Sequence, residues 1–488
     1  MARVRAWGLC FLAVFLIEAR SARAADVVEV RTSLYASYAK QLAELAAWCQ
    51  DQKLPDAAEQ LLKWLPKREP EQLTLFLLPA DSGEKAENAK AEWRVRWQKL
   101  RDAQADALVD LARQAVAEHQ PSLAFELATE AVRENPDHKL ARRVLGYIKL
   151  RDTWRTPFEI KQLSAGKIWH EQFGWISKSH VERYEKGQHY YQGRWMSAAQ
   201  EAALRTDVKR GWRIESEHYV VTTNHSLEEG VRLSRKLEAF YGIWRQVFIG
   251  YLATEKDLAV RFEGRPTRRE AKQHNVVYYR TREEYNAALR SSQPQIDITL
   301  GIYFASARTA YFFAGKDQEP GTLYHEATHQ LFQETRPVVQ DIGRAENFWI
   351  VEGIACYMES LSSESGYYTL GGPNAGRMPA ARHRLLEDNF YVPLAELVSF
   401  GMEALQRDPR IAKLYSQSSG LADFFMHDRA GRYREPLVRY LETIYTGRAT
   451  TGTLAELTGT SYTTLDEQYR AFMSGGEPAK TSQSDAAQ

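Results

Sequence analysis

Cysteines and long apolar runs are scarce in this chain of 488 residues. Its three cysteines, Cys10, Cys49 and Cys356, are too few for the disulfide framework that stabilises small secreted domains. No stretch after the first two dozen residues approaches about 18 uninterrupted apolar residues, which excludes a further transmembrane helix. We therefore expect buried apolar cores to hold the fold together, without a bond between Cys49 and Cys356.

A strong net charge is also absent. The whole chain carries +1, and without residues 1–24 it has 60 basic and 62 acidic side chains, a net charge of −2. This balance gives no indication of a nucleic-acid or anionic-membrane partner. The 44% hydrophobic and 26% charged content is typical of a soluble globular protein. The length predicts at least two folding units, because single cores rarely grow beyond roughly 300 residues.

The first residues have the layout of a secretory signal peptide. Arg3 and Arg5 precede an apolar run from Trp7 to Ile17, and Ala22-Arg23-Ala24 forms a small-x-small cleavage site. An uncleaved anchor or a buried N-terminal helix is the alternative, although a run of about 11 residues is too short to span a bilayer. We expect residues 1–24 to be removed, leaving an exported periplasmic or extracellular protein with no membrane span.

Residues 33–150 read as helical repeats of the tetratricopeptide type, which place small or apolar residues 4, 7 and 12 positions after an alanine. Two sets follow that spacing: Ala58, Leu62, Leu65 and Pro70, and Ala124, Ala128, Ala131 and Pro136. The charged stretch from Ser82 to Asp106 resembles an inserted or exposed helix. An ordinary helical bundle is the alternative. In either case we expect a packing surface or a site for a protein partner.

Residues 151–210, rich in aromatic and basic side chains, form a connector that the sequence does not assign to a fold. The pattern changes at residue 211. Four segments are strand candidates, the last as a bent strand or hairpin: Trp212–Thr223, Leu258–Phe262, Val276–Tyr279 and Leu300–Phe313. Beyond Pro320 the chain reads as helices and loops. We therefore predict an α+β fold without alternating β–α units, followed by a disordered tail over residues 475–488.

A His-Glu-x-x-His pattern begins at His325, in a segment that reads as a helix with Thr322 as a candidate N-cap and Pro337 beyond its end. Residues four apart lie on one face of a helix, so His325 and His329 can offer two imidazoles to one metal ion. Glu326 then lies at the flank, where it can activate a water. A hydrogen-bonded pair of helix histidines is the alternative.

Catalytic zinc sites usually have three protein ligands, so a third is needed. Twenty-two residues separate His329 from Glu352, which lies on a second apolar helix, and this separation allows the chain to turn and return. Beside Trp349, an unpaired carboxylate would be costly, and a metal ion removes that cost. A helix-surface acid is the alternative reading of Glu352, with Asp341 and Glu346 as the nearest substitutes.

The segments His325–His329 and Trp349–Tyr357 resemble the paired signatures of the gluzincins, zinc peptidases with HExxH and a downstream glutamate ligand. The stretch from Trp212 to Met473 also resembles an uncharacterised bacterial exported domain of that peptidase group. The resemblance implies a zinc hydrolase domain over residues 211–474 with one Zn²⁺ per chain. It also implies that His325, His329 and Glu352 are the zinc ligands and that Glu326 is the general base.

Many gluzincins have an acidic residue four positions after the ligand glutamate, where it orients a ligand histidine. Here Cys356 occupies that position, and Glu359 is a candidate replacement. We interpret Cys356 as a small buried residue, with a redox-active or metal-adjacent thiol as the alternative.

A donor is also needed to stabilise the oxyanion. Tyr415 is the first choice, since it opens a helix in the region where related peptidases place such a donor, and His383 and His427 are alternatives. Arg377 and Arg382 could clamp a carboxylate or could simply be solvated.

Two classes of function fit these features. The first is a working metallopeptidase acting on a peptide or protein substrate. The second is an inactive scaffold whose helical repeats bind a protein partner. The intact general base favours the first, because an inactive relic need not keep Glu326. Hydrolysis of a non-peptide amide, such as a cell-wall linkage, is a third possibility.

Overall fold

The computed structural model of this protein describes residues 26–78, 91–265, 272–315 and 320–475. The predicted signal peptide, and the predicted tail apart from Gly475, lie outside the described residues. Cys49 and Cys356 are both buried and unpaired, as expected. Within the described ranges, no helix is long and apolar enough to cross a membrane.

Helices dominate the N-terminal part up to Val144. They are α1 (Val27–Asp51), α2 (Pro55–Leu62), α3 (Glu92–Ala117), α4 (Pro121–Glu134) and α5 (Lys139–Val144). Helix α1 packs against α2 and α3, α3 packs against α4, and α4 packs against α5. Of the segment predicted as an inserted or exposed helix, residues 82–90 lie outside the described residues, and residues 92–106 form the start of α3. Trp93 and Trp97 are buried there against α1 and α2, so this described portion is part of a core.

The connector has regular structure that its aromatic and basic composition did not indicate. Three β-hairpins are each followed by a short helix: β2 (Ile148–Leu150), β3 (Thr153–Arg155) and α6 (Pro157–Ser164); β4 (Lys167–His170), β5 (Gly174–Ser177) and α7 (Val181–Glu185); β6 (Gln188–Tyr191), β7 (Arg194–Ser197) and α8 (Ala198–Leu204). A glycine precedes each hairpin, at residues 146, 166 and 187, and the second strand of each hairpin carries a tryptophan, at residues 154, 175 and 195. This repeat of 20 or 21 residues is the sequence pattern that would have predicted the three hairpins.

A five-stranded sheet begins the C-terminal part. Its strands are β8 (Trp212–Glu215), β9 (Tyr219–Thr223), β10 (His274–Tyr279), β11 (Ile302–Phe304) and β12 (Thr309–Phe313), in the order β11-β12-β10-β9-β8. The segment predicted as one strand from Trp212 is a tight hairpin, β8–β9. The predicted strand at Val276 is confirmed, and the hairpin predicted from Leu300 is confirmed as β11–β12.

Helices join the parallel strands of this sheet. They are α9 (Leu227–Val247), α10 (Ile249–Leu252) and α11 (Glu255–Phe262) between β9 and β10, and α12 (Arg282–Leu289) after β10. Because β9, β10 and β12 are parallel neighbours, this part contains β–α–β connections, contrary to our expectation. The predicted strand Leu258–Phe262 was also wrong. A capping box between Thr254 and Asp257 starts a helix there, and its i, i+4 pair Leu258 and Phe262 is buried.

Most of the chain after Pro320 is helical, as predicted. The helices are α13 (Pro320–Glu334), α14 (Phe348–Met358), α15 (Met378–Leu386), α16 (Leu394–Leu397), α17 (Met402–Gln406), α18 (Ile411–Gly431), α19 (Arg434–Tyr445), α20 (Thr453–Thr458) and α21 (Tyr462–Ser474). The prediction of helices and loops alone was wrong, because β13 (Ser362–Ser363) and β14 (Tyr368–Leu370) form a hairpin. An additional strand, β1 (Leu73–Leu75), pairs antiparallel with β14.

The chain is therefore a mixed α/β protein, mainly helical with small sheets, which is consistent with an α+β class. Its largest apolar core joins the five-stranded sheet to α9, α13, α14, α18 and α19. Helix α14 lies at the centre of this core, against both α13 and α18. This packing brings the histidine pattern and the predicted third ligand to one place.

Candidate metal centre

Helix α13 presents its two histidines on one side and its apolar residues on the other. Leu323, Ala327 and Leu331 are buried against the sheet and α9, which fixes the rotation of the helix. His325 and His329, each with a side chain 13% exposed, are consequently directed toward α14. The helix begins at Pro320 and not after a Thr322 N-cap, so the predicted cap lies inside the first turn.

Glu352 lies on α14 and is only 8% exposed. The helix comes unusually close to α18 at the next residue, Gly353. A Cβ atom there would lie 2.7 Å from the carbonyl oxygen of Ser418. Glycine at 353 therefore allows α14 to pack against α18 while the adjacent Glu352 is held toward α13.

The three predicted ligand atoms converge. His325 Nε2 lies 3.1 Å from His329 Nε2. Glu352 Oε2 lies 3.5 Å from His325 Nε2 and 3.6 Å from His329 Nε2. Ligands about 2.0–2.2 Å from a tetrahedral ion are separated by roughly 3.3 Å, so this spacing and the His₂Glu donor set both fit zinc. Asp341 is 67% exposed and pairs with Arg344, and neither it nor Glu346 belongs to a metal-capable group in the described part of the chain.

A second group of possible ligands, His325, Cys356 and Glu359, overlaps the first. Glu359 accepts a hydrogen bond from His325 Nδ1 at 2.8 Å. Its two oxygens also accept from Arg377, at 2.8 Å from Nε and 2.7 Å from a terminal nitrogen. Because the Arg377 guanidinium already neutralises this carboxylate, Glu359 is better placed to orient the His325 imidazole than to bind a cation itself. The Glu359 replacement proposed from the sequence is therefore in place, and Arg377 clamps a carboxylate of the chain itself.

The charges at this centre favour a bound cation. Burial raises the pKa of carboxyl groups, yet His329 and His325 hold the pKa of Glu352 well below its usual value. Burial would lower the pKa of His325, but hydrogen bonds to Cys356, Glu352 and Glu359 raise it well above its usual value. The negative field that stabilises a charged imidazole would also stabilise a divalent ion.

Glu326 lies beside the histidines and is fixed from the sheet side. Its Oε2 accepts a hydrogen bond from the backbone N–H of Tyr303 on β11, at 2.8 Å. Burial raises the pKa of Glu326, against the opposing influence of His325 and His329. A carboxylate with a raised pKa and one hydrogen-bond donor suits a general base.

Tyr303 also contacts a buried, hydrogen-bonded pair, His274 and Glu334, that was not expected from the sequence. Its hydroxyl donates to Glu334 Oε1 at 3.2 Å, and Glu334 Oε2 lies 2.9 Å from Nδ1 of His274. His274 and Glu334 are almost fully buried, at 1% and 2% exposure. The two residues are 60 positions apart, and nothing in that spacing predicted the pairing.

Tyr415, the first choice for an oxyanion donor, lies next to the centre. Burial raises its pKa well above the usual value, and the nearby Glu352 and Cys356 raise it further. The guanidinium of Arg377 lies 5.9 Å from its ring centroid.

The other donor candidates lie elsewhere. His427 is buried and hydrogen-bonded to the Tyr357 hydroxyl at 2.9 Å, and His383 is 66% exposed near Asp388.

Arg382, the second candidate for clamping a carboxylate, donates to the backbone carbonyl of Met473 instead.

No protein-family model matches this chain, and no curated protein matches it in sequence.

Proposed function

We propose that this protein is an exported zinc-dependent metallopeptidase in which residues 211–474 form a gluzincin-like unit, preceded by tetratricopeptide-like repeats. The observation that carries the proposal is the convergence of His325 Nε2, His329 Nε2 and Glu352 Oε2 within 3.6 Å of one another, with Glu326 beside them. A His₂Glu set that leaves a fourth position open is the arrangement of hydrolytic zinc sites.

Each side chain has a defined part in this proposal. When bound, zinc would polarise the scissile carbonyl and acidify a water. Glu326 takes the proton from the attacking water and passes it to the leaving amine, a role for which its raised pKa is favourable. Glu359 accepts a hydrogen bond from His325 Nδ1–H and thereby directs Nε2 toward the ion. Tyr415 contributes a neutral hydroxyl as an oxyanion donor.

The position of β11 supports a peptide as substrate. This strand lies at the end of the sheet and pairs with β12 on one side only. The N–H of Tyr303 donates to Glu326 and therefore points away from β12. In an antiparallel pair, the N–H and carbonyl of one residue point to the same side of the strand, so the Tyr303 carbonyl also faces the open edge. An extended peptide could add to this edge and place its carbonyl near Glu326.

The direct test is a comparison of the wild type with Glu326→Gln, using a mixture of unstructured peptides as substrate and mass spectrometry to detect the products. We expect the variant to bind zinc like the wild type while hydrolysis falls by at least about a thousandfold, because the base is lost. Glu346→Gln is the matched control. Comparable turnover by Glu326→Gln would remove the proposed base, and zinc binding without turnover in the wild type would favour the scaffold.

A further inference from the structure

Glu359 links the metal centre to a loop. Its Oε1 receives hydrogen bonds from both His325 Nδ1 and Arg377, and its Oε2 receives a second bond from Arg377. The Glu359 side chain is 16% exposed and that of Arg377 is 36% exposed. A two-point contact of this kind fixes the plane of the carboxylate, and with it the orientation of the imidazole.

The loop that carries Arg377 runs from Gly371 to Arg377, between β14 and α15. Gly371 and Gly372 have φ values of 82° and 112°, which favour glycine. The Gly371 N–H donates to the Ser360 hydroxyl at 2.9 Å, and a Cβ atom at Gly371 would lie 2.2 Å from Nε2 of His427. The start of the loop is thus fixed against the end of α14 and against α18.

The other support of the loop comes from the N-terminal part of the chain. Strand β1 pairs with β14 in the register Leu73 to Leu370, Thr74 to Thr369 and Leu75 to Tyr368. The side-chain amide of Gln72 donates to the Gly371 carbonyl at 3.2 Å. Leu75 is 1% exposed and belongs to the same apolar core as α13 and α14.

The N-terminal helices are attached to the same core by buried polar contacts. Arg434 of α19 forms an ion pair with Glu126 of α4, and both side chains are below 10% exposure. The Ser122 N–H donates to the carboxylate of Glu435 at 2.9 Å. The carbonyl of Phe76, the residue after β1, accepts from the Gln246 amide at 2.9 Å.

We propose that Arg377 is a positioning residue for the metal ligand His325, and that strand β1 sets the position of Arg377 through β14 and the loop from Gly371. The N-terminal helical part is then a structural component of the metal centre and more than an attached binding module. This inference rests on the proposed zinc site and extends it to residues that lie outside the predicted hydrolase domain.

Zinc affinity of the full chain, measured by competition with a chromogenic chelator, tests the first step. We expect Arg377→Met to weaken zinc binding by about tenfold to a hundredfold, as for other residues that orient metal ligands. Arg377→Lys keeps the charge but loses the two-point contact, so its zinc affinity should lie between those of Arg377→Met and the wild type. The double variant Arg377→Met, Glu359→Gln should bind zinc little more weakly than Glu359→Gln alone, because both changes act on His325. Arg382→Met is the control, since Arg382 contacts Met473 instead.

Two leucines test the second step. Leu75→Ala and Leu61→Ala each remove a leucine side chain that is 1% exposed in the N-terminal part, but Leu61 lies in the separate core between α1, α2 and α3. We expect Leu75→Ala to weaken zinc binding by about threefold or more and Leu61→Ala to leave it unchanged. The visible spectrum of the Co²⁺-substituted chain should shift only in Leu75→Ala and in the Arg377 variants.

The possible failures are distinguishable. A wild-type chain that binds no zinc would contradict the proposed function itself. Zinc binding by the wild type with equal affinity in Arg377→Met would overturn the role of Arg377, and with it the route from β1, but not the proposed function. Equal zinc affinities in Leu75→Ala and Leu61→Ala would overturn the role of β1.

Discussion

The backbone N–H of Tyr303 donates a hydrogen bond to the carboxylate of Glu326 at 2.8 Å. A strand of the sheet thus stabilises the ionised form of the proposed base, against the burial that raises its pKa. Because the donor is a backbone group on the open edge of β11, it can be removed without breaking the sheet.

The first prediction compares Tyr303→Pro with Tyr303→Ala. Both lose the aromatic side chain, but only proline lacks the N–H. Loss of a donor to a carboxylate raises the pKa of Glu326, so the acidic limb of the kcat/KM profile should move to higher pH in Tyr303→Pro, by about one unit. A pH–rate profile of each variant measures this. Superimposable profiles would mean that the hydrogen bond does not control the base.

The second prediction concerns the close contact of Gly353 with Ser418. A methyl group at 353 would meet the Ser418 carbonyl at 2.7 Å, so Gly353→Ala must displace α14 and with it Glu352. We expect a loss of about 1–3 kcal/mol in the free energy of unfolding, as for other overpacked sites, together with weaker zinc binding. Gly452→Ala is the control, because a Cβ there meets nothing closer than 3.6 Å. Chemical denaturation and zinc titration of both variants check the result.

The third prediction is a pH dependence of stability that originates at His427. Burial and the nearby Arg434 lower its pKa to about 3 in the folded chain, against about 6.5 in the unfolded chain. The unfolded state therefore binds the proton first as the pH falls, and the folded state loses stability between about pH 6.5 and pH 3. The stability of the wild type relative to His427→Gln should decrease by about 2 kcal/mol between pH 8 and pH 5. Parallel stability curves would contradict this.

The fourth prediction is that metal removal destabilises the folded chain. A ligand that binds only the native state at about 100 times its Kd adds about 2.7 kcal/mol to the free energy of unfolding. A chelator should therefore lower the Tm of the wild type, and added zinc should restore it. His329→Ala should show neither change. An identical chelator response in that variant would place the metal effect outside this centre.

The features of the site that were predictable from sequence were those set by local spacing. His325 and His329 lie on one face of α13 because they are four residues apart, and the apolar neighbours of Glu352 indicated a buried carboxylate. A carboxylate clamp was one of two readings of Arg377, but Glu359 as its partner was not predictable, because their contact depends on the conformation of a glycine-rich loop. The His274–Glu334 pair joins residues 60 positions apart and left no pattern in the sequence.

The same distinction applies to the fold. Strand β10 and the hairpin β11–β12 were predictable from their residue patterns, whereas Leu258–Phe262 was misread as a strand because a short apolar run fits either structure. Strand β1 has three residues and exists through pairing with β14, almost 300 residues later. Such a strand is determined by its tertiary partner and not by its own propensity.

The most direct test of the central claim is the zinc content of purified residues 25–488, measured by elemental mass spectrometry for the wild type, Glu352→Ala and Glu346→Ala. Glu352 belongs to the converging group and Glu346 does not. We expect about one zinc per chain in the wild type and in Glu346→Ala, and far less in Glu352→Ala, because two ligands hold zinc much more weakly than three. Full zinc content in Glu352→Ala, or none in the wild type after supplementation, would contradict the proposed metal centre.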